Sequence, residues 1–281
     1  MTGLDTKGAP EPVARPNPLG TPEPAPPSHQ RSAIAGTVLF TRYAFMPNHL
    51  QRCGPLRAQD NQTIFEYAVA GQSDPSLTSL LREFQAAYPY LQLIAQTTGY
   101  RDPFHPAVVE AYWIGSALLE QVEVRQFYAS LQERFAALIP PRYLHYLLGK
   151  APAGARPHHS FNVFDVQRFT QEKTHTLHHM EKCRIGWGRV VAIEPAHFVV
   201  EYQPLVWGRP ASNGRGGLGL GPPVLGRVLR HMDGKGFTDR ARVGDWVSFH
   251  WDWACDVLSD AQQAQLERWT LHHIRLANET L

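Results

Sequence analysis

Hydrophobic periodicity changes character along this chain beyond about residue 150, and the change restricts the fold to a helical part followed by a strand-rich part with a final helix. From Phe40 to about Leu148 the spacing is helical. Leu77, Leu80, Leu81 and Phe84 recur at intervals of three and four, as one helix face requires. Pro106 suits the first turn of a further helix. Val108 to Leu138 then runs on with Gly115 as its only glycine, until Pro140 and Pro141 close it. Four or five helices packed on one another are expected. The small and turn residues of Gly149-Lys-Ala-Pro-Ala-Gly-Ala-Arg-Pro157 read as a linker. Beyond it, His158 to Phe169 alternates as a short strand does, and Gln171 to Lys182 reads as a short polar helix.

At Cys183 the pattern becomes one of short strands. Ile185, Trp187, Val190, Val191 and Ile193 lead through the turn Glu194-Pro195-Ala196 into Phe198, Val199, Val200 and Tyr202. Further strands are expected at Val224 to Leu229 and Asp245 to Trp251, with turns at Asp233-Gly234 and Val243-Gly244-Asp245. From Asp260 the chain is helical again, with Ser259 as N-cap and Leu266, Trp269 and Leu276 on the buried face. The fold class expected is α+β: a helical domain over 33–150, a connecting segment over 151–182, and a small OB-like β-barrel with a C-terminal helix over 183–281. Residues 1–32 hold eight of the 23 prolines and few large apolar side chains, so they are expected to be a disordered tail. Gly214-x-Gly216-x-x-Gly219 matches a dinucleotide fingerprint in letters only. It lacks the strand before it and the helix after it, and reads as a flexible inter-strand loop.

With 281 residues, 43% hydrophobic and 19% charged, the chain has material for a packed core. A net charge of +2 gives no field for nucleic acid or an anionic membrane. There is no export signal and no run of about 18 apolar residues, which points to a cytoplasmic protein off the membrane. Three cysteines (Cys53, Cys183, Cys255) without a Cys-x-x-Cys pair exclude a disulfide scaffold and a structural zinc knuckle. No Walker loop, nucleophile elbow or His-Glu-x-x-His is present, so nothing calls for an enzyme.

Two segments carry a resemblance. Cys183-Arg-Ile-Gly-Trp-Gly188-Arg-Val resembles the opening Cys-x-x-x-Pro-Gly-Lys-Val/Ile of the HypC/HupF/HybG chaperones of nickel–iron hydrogenase assembly. Cysteine and glycine keep their spacing, Arg189 stands for the lysine and Trp187 for the proline. Val243-Gly244-Asp245-Trp246-Val247-Ser-Phe-His250 is similar to that family's Val-Gly-Asp-Tyr-Val-x-Val-His. The likeness covers about a third of the chain. Cys183 is internal here, and Gly208 to Pro223 is an insertion relative to the compact family. Phe40-Thr-Arg-Tyr-Ala-Phe-Met-Pro-Asn48 and Cys53-Gly-Pro55 look like the opening of an uncharacterised bacterial family often encoded beside hydrogenase genes.

The resemblance implies a hydrogenase maturation factor, or metallochaperone, without enzymatic activity. Its partners are a hydrogenase large subunit or other maturation proteins, and its cargo is an iron carrying cyanide and carbon monoxide, Fe(CN)2CO, held transiently by Cys183. A thiolate suits such low-spin iron, and a single loose protein ligand allows release. His250 joins Cys183 as the second candidate ligand. Cys53, Asp252, Gly188 and Arg189 are candidates for partner binding or for support of the ligands, with Asp252 placed to orient the His250 ring. Lys182 and Arg184 flank the thiol and are expected to lower its pKa. His175, His178 and His179 share one face of the expected helix. His158 and His159, in a strand, point to opposite faces and do not bind one ion together. Cys255 reads as core. Two other functions stay open: an enzyme using Cys183, His250 and Asp252 in a deep pocket between the domains, and an interaction module in which the Cys183 sulfur is buried. An open, shallow cysteine surface fits the chaperone.

Overall fold

Helices dominate up to residue 150 in the computed structural model, which describes residues 34–170, 175–210 and 216–281. They are α1 (Gly36–His49), α2 (Ala58–Ala70), α3 (Pro75–Leu81), α4 (Tyr88–Thr98), α5 (Pro106–Trp113), α6 (Val124–Phe135) and α7 (Pro141–Gly149), with a 3-10 turn at Ala117–Gln121. Seven α-helices among the described residues up to residue 150 exceed the four or five expected there, because the run from Val108 to Leu138 is broken. Gly115 breaks it with φ +93°, and a Cβ there would lie 2.1 Å from Cδ1 of Trp269. Pro141 opens α7 from its first turn instead of ending the run before it. Leu77, Leu81 and Phe84 are buried as their spacing required.

The stretch 151–182 differs most from expectation. Ala151, Ala155 and residues 158–167 are buried, so this connection is part of the core. His158 to Phe169 is helical, not extended: α8 (His159–Phe161), a π-helical turn at Asn162–Val166 and α9 (Gln167–Thr170). Burial on every side removes the polar face by which periodicity separates helix from strand. After Thr176, whose side chain accepts from the His179 N–H, α10 (Leu177–Cys183) leads into the sheet.

The strands are β1 (Gly186–Ile193), β2 (His197–Tyr202), β3 (Leu205–Pro210), β4 (Gly216–Leu220), β5 (Val224–Leu229), β6 (Trp246–His250) and β7 (Trp253–Leu258). Five pair in the order β1-β2-β5-β7-β6, and β6 pairs antiparallel with β1, returning the order to its start. Val190, Phe198, Val200, Val247 and Phe249 fill the space they surround. The insertion 208–223 supplies most of a separate β3–β4 hairpin, and Gly216 to Gly219, expected as a flexible loop, lie in its strand β4; Gly214 lies outside the described residues, as does the expected tail 1–32. Helix α11 (Asp260–Asn278) starts on a capping box in which Ser259 and Gln262 each bond the other's backbone.

All the described elements form one compact unit. Its larger core runs from Phe40 to Ala277, joining helices to Trp187, Trp253 and Cys255 of the strands. Strand β7 is therefore buried on both faces. Phe45 meets Trp253 edge-on at 5.2 Å and stacks on Phe65 at 4.6 Å.

Gly115→Ala combines a left-handed backbone with a clash against the Trp269 ring. We expect a loss of about 2–4 kcal/mol of folding stability, read as a lower urea midpoint at unchanged m-value.

Candidate metal centre

Three elements end at one place. Helix α8 begins with His159, fixed by His158, whose Nδ1 caps it by accepting the Ser160 N–H at 3.1 Å. Cys183 is the last residue of α10, and His250 the last of β6. One ligand atom from each of His159, Cys183 and His250 lies within 4.8 Å of the other two, the one group of this kind among the described residues. All three residues are buried, at 5%, 7% and 1% exposure.

Hydrogen bonds orient both imidazoles. His250 Nδ1–H donates to the Tyr43 carbonyl at 2.7 Å, which leaves the lone pair on Nε2, and Nε2 has no partner. His159 Nε2 lies 2.8 Å from the Cys183 carbonyl and Nδ1 lies 3.2 Å from the Tyr112 hydroxyl. A carbonyl only accepts, so Nε2 carries the ring proton and Nδ1 accepts from the Tyr112 hydroxyl. Burial lowers the pKa of His250 to about 4 and that of His159 well below the ordinary range, so both rings are neutral.

The thiol is shielded: Cys183 does not lie on the open, shallow surface expected of the chaperone, and its burial is what the interaction-module reading expected. Burial pushes Cys183 up to about 11, against a hydrogen bond from Gln167 Nε2 at 3.5 Å that pulls it down. The lowering expected from Lys182 and Arg184 is absent because both cations are engaged elsewhere. Lys182 pairs with Asp252 at 2.5 Å. Arg184, fully buried, pairs with Glu181 at 2.7 Å, donates to the Gln203 carbonyl and lies over the Trp187 ring. Asp252 accordingly does not orient His250. It sits with Trp251 in the tight β6–β7 turn, both residues at positive φ, as a two-residue hairpin of this hand needs.

Cys53 reaches the same site from the other side. Asn48 Nδ2 holds its loop by donating to the Cys53 and Pro55 carbonyls, at 2.9 and 2.6 Å. Burial first, then the Cys183 sulfur, raises its thiol pKa. Cys53, His159, Gln167, Cys183, His250 and Trp251 line one cavity of about 40 Å³, room for a few water-sized occupants. Trp113 Nε1, Gln167 Oε1, His179 Nε2 and His250 Nε2 belong to residues lining it, are buried, and have no hydrogen-bond partner.

The remaining candidates lie elsewhere. Gly188 packs β1 against β2, where a Cβ would meet the Glu201 carbonyl at 2.8 Å. Arg189 reaches the Gly244 carbonyl at 2.6 Å and covers Trp246. Cys255 is buried in β7. His175 precedes α10 and bonds the Val163 carbonyl at 2.9 Å, so the three histidines of that stretch do not share a helix face. The expected strand set His158 and His159 on opposite faces and gave no reason to single out His159; the pattern Pro157-His158-x-Ser160, with a capping side chain after a proline, is the sequence signal for the helix that aims it.

A sequence profile of one family matches residues 32–281. The chain belongs to DUF6390, a family of unknown function. No curated protein and no solved structure matches it. Among the described residues of this DUF6390 member, no helix is long and apolar enough to cross a membrane.

Buried neutral histidines make stability fall with acid. Burial holds His250 at about 4, His158 at about 3, and His159 and His273 well below 6.5. Between about pH 4 and 6.5 the unfolded chain therefore binds more protons, and stability is lost as pH falls through that window. Asp165, raised by burial to about 6, opposes this as a single group. Urea unfolding at pH 6.5 and pH 5 should differ by about 3–5 kcal/mol, with the protein weaker at pH 5; equal stability would refute neutral burial.

Proposed function

We propose that this DUF6390 protein is a metal-handling maturation factor of the nickel–iron hydrogenase pathway, working without enzymatic turnover. Its β1-β2-β5-β7-β6 ring is read as an OB-like barrel of the HypC kind, with the helical part giving partner specificity. One observation carries the reading. Cys183 and His250, the two reactive residues of the HypC-like motifs, lie in one cluster, and Cys53 of the hydrogenase-linked N-terminal motif lines the same cavity. Softness of the thiolate and neutrality of both imidazoles suit a transition metal.

Enclosure bears on the cargo. About 40 Å³ admits a bare ion with one small ligand, whereas an iron already carrying cyanides and carbon monoxide needs the wall to open. The same enclosure favours a second reading, a metal-dependent enzyme for a very small substrate. A metal-free cysteine enzyme is disfavoured by the raised thiol pKa and by Asp252 lying outside the site.

The test is anaerobic affinity purification of the wild type and Cys183→Ala, with identification of bound proteins and infrared spectroscopy. Hydrogenase large subunit or maturation proteins should accompany the wild type and be depleted in the variant; cyanide and carbonyl stretches lost with the cysteine would add the cargo. Absence of any hydrogenase-pathway protein, with undiminished hydrogenase activity in a deletion strain, overturns the reading.

A further inference from the structure

The cluster is built for more than the two ligands suggested by the HypC-like motifs. Ligand atoms that all lie within 4.8 Å of one another leave an ion among them no more than about 2.8 Å from each, so small side-chain rotations bring it to the ~2.0–2.3 Å of zinc–imidazole and zinc–thiolate bonds. Donor orientation is largely in place without the ion. His250 gives its ring proton to the Tyr43 carbonyl, the arrangement found behind metal-bound histidines, and presents an unpartnered Nε2 that is 99% buried with its residue. Leaving a buried ring nitrogen unbonded is unfavourable, and a metal that accepts its lone pair removes that cost. His159 keeps its ring proton on Nε2 for the Cys183 carbonyl and offers the ion its Nδ1 lone pair in place of the Tyr112 hydroxyl. The Tyr112 hydroxyl has the Ala86 carbonyl at 3.5 Å as a second acceptor.

We propose that His159, Cys183 and His250 bind one divalent first-row transition ion, such as zinc(II) or iron(II), with the fourth coordination position facing the cavity toward Cys53. Three protein ligands with one open position is the layout of working rather than structural zinc sites. Two imidazoles and one thiolate form a borderline-soft set that discriminates against magnesium and calcium. The indole N–H of Trp113, unpartnered on the cavity wall, is a donor available to a small ligand in the fourth position. Among the chain's own residues the assignment makes His159 a ligand in its own right. It deepens the maturation reading and rests on it only for what the ion is used for.

The full-length chain, purified anaerobically under reducing conditions and stripped by chelator, is titrated with cobalt(II) and separately loaded with zinc(II). We expect one ion per chain, a thiolate-to-cobalt charge-transfer band and the strong visible bands of four-coordinate cobalt. X-ray absorption of the zinc form should show one sulfur and two imidazoles, a readout that needs no variant. Cys183→Ser should lose the charge-transfer band. His159→Ala should lose the four-coordinate visible bands, with near-ultraviolet circular dichroism confirming that each variant is folded. Adding cyanide to the cobalt form should shift the visible bands by entering the open position. A first shell of oxygen and nitrogen only, two sulfurs at the zinc, or binding unaltered in folded His159→Ala overturns the assignment. Metal bound as expected with no hydrogenase-pathway partner would sink the maturation reading and leave the site; partners captured through Cys183 with no stoichiometric metal would do the reverse.

Discussion

Two imidazole–carbonyl hydrogen bonds hold the rest of this structure in register. One runs from His250 to Tyr43 and ties β6 to α1 across 207 residues of sequence; the other runs from His159 to Cys183 and ties α8 to α10. Around them the Tyr43 ring stacks on Trp113 at 5.5 Å, Trp113 lies 4.6 Å from the His159 ring, and the Tyr43 hydroxyl meets Ser248 Oγ at 2.9 Å. The seam between helices and strands is thus aromatic, buried and polar at chosen points. Burial keeps the rings neutral and the Cys183 thiol protonated, while the carbonyls settle where ring protons sit. A shift between the layers would leave buried carbonyls and imidazoles unpaired at once, so the seam specifies a single packing.

Two buried ion pairs brace the seam from either side. Arg184 and Glu181 flank Cys183, and Glu181 also accepts the Leu205 N–H at 2.7 Å, which fixes α10 to both β1 and β3. Lys150 faces Asp165 at 3.5 Å and donates to the Leu276 carbonyl, holding the π-helical turn against α11. Desolvation makes such pairs poor sources of net stability, and Asp165 with its raised pKa shows the strain of burial. Their contribution is position. The π-turn they secure separates His159 from Gln167, the ligand and the donor to its sulfur neighbour, and π-turns recur at functional sites.

Much of the strand-rich part was legible because its signals are local. Strand periodicity at 185–193, 198–202 and 224–229, the Ser259 cap and the buried face of Leu266, Trp269 and Leu276 all lie within a few residues of their cause. Cys183 and His250 were legible from motif likeness. His159 was not, since a fully buried helix shows no amphipathic period and a residue's orientation there depends on partners more than twenty positions away. Charges next in sequence also misled: Lys182 and Arg184 adjoin Cys183 along the chain, yet their partners Asp252, Glu181 and Gln203 draw them from the sulfur. Asp252 was expected on the His250 face by strand alternation, which the β6–β7 turn interrupts after His250 itself.

Charge balance in so enclosed a place limits what an ion there can carry. A dication with one thiolate and two neutral imidazoles keeps a net charge of +1, and isolated charge in a low-dielectric interior is strongly disfavoured. No aspartate or glutamate lines the cavity to balance it; the charged residue that does is Arg52, held over the Trp251 ring at 5.3 Å. The open position therefore favours a small monoanion, hydroxide or a pseudohalide, over neutral water, and the Trp113 N–H adds a hydrogen-bond donor to that preference. A dication held by His159, Cys183 and His250 would therefore be best accommodated together with a small anionic ligand. Loss of that anion would return an uncompensated charge to the buried seam, so release of the ion would depend on the second ligand.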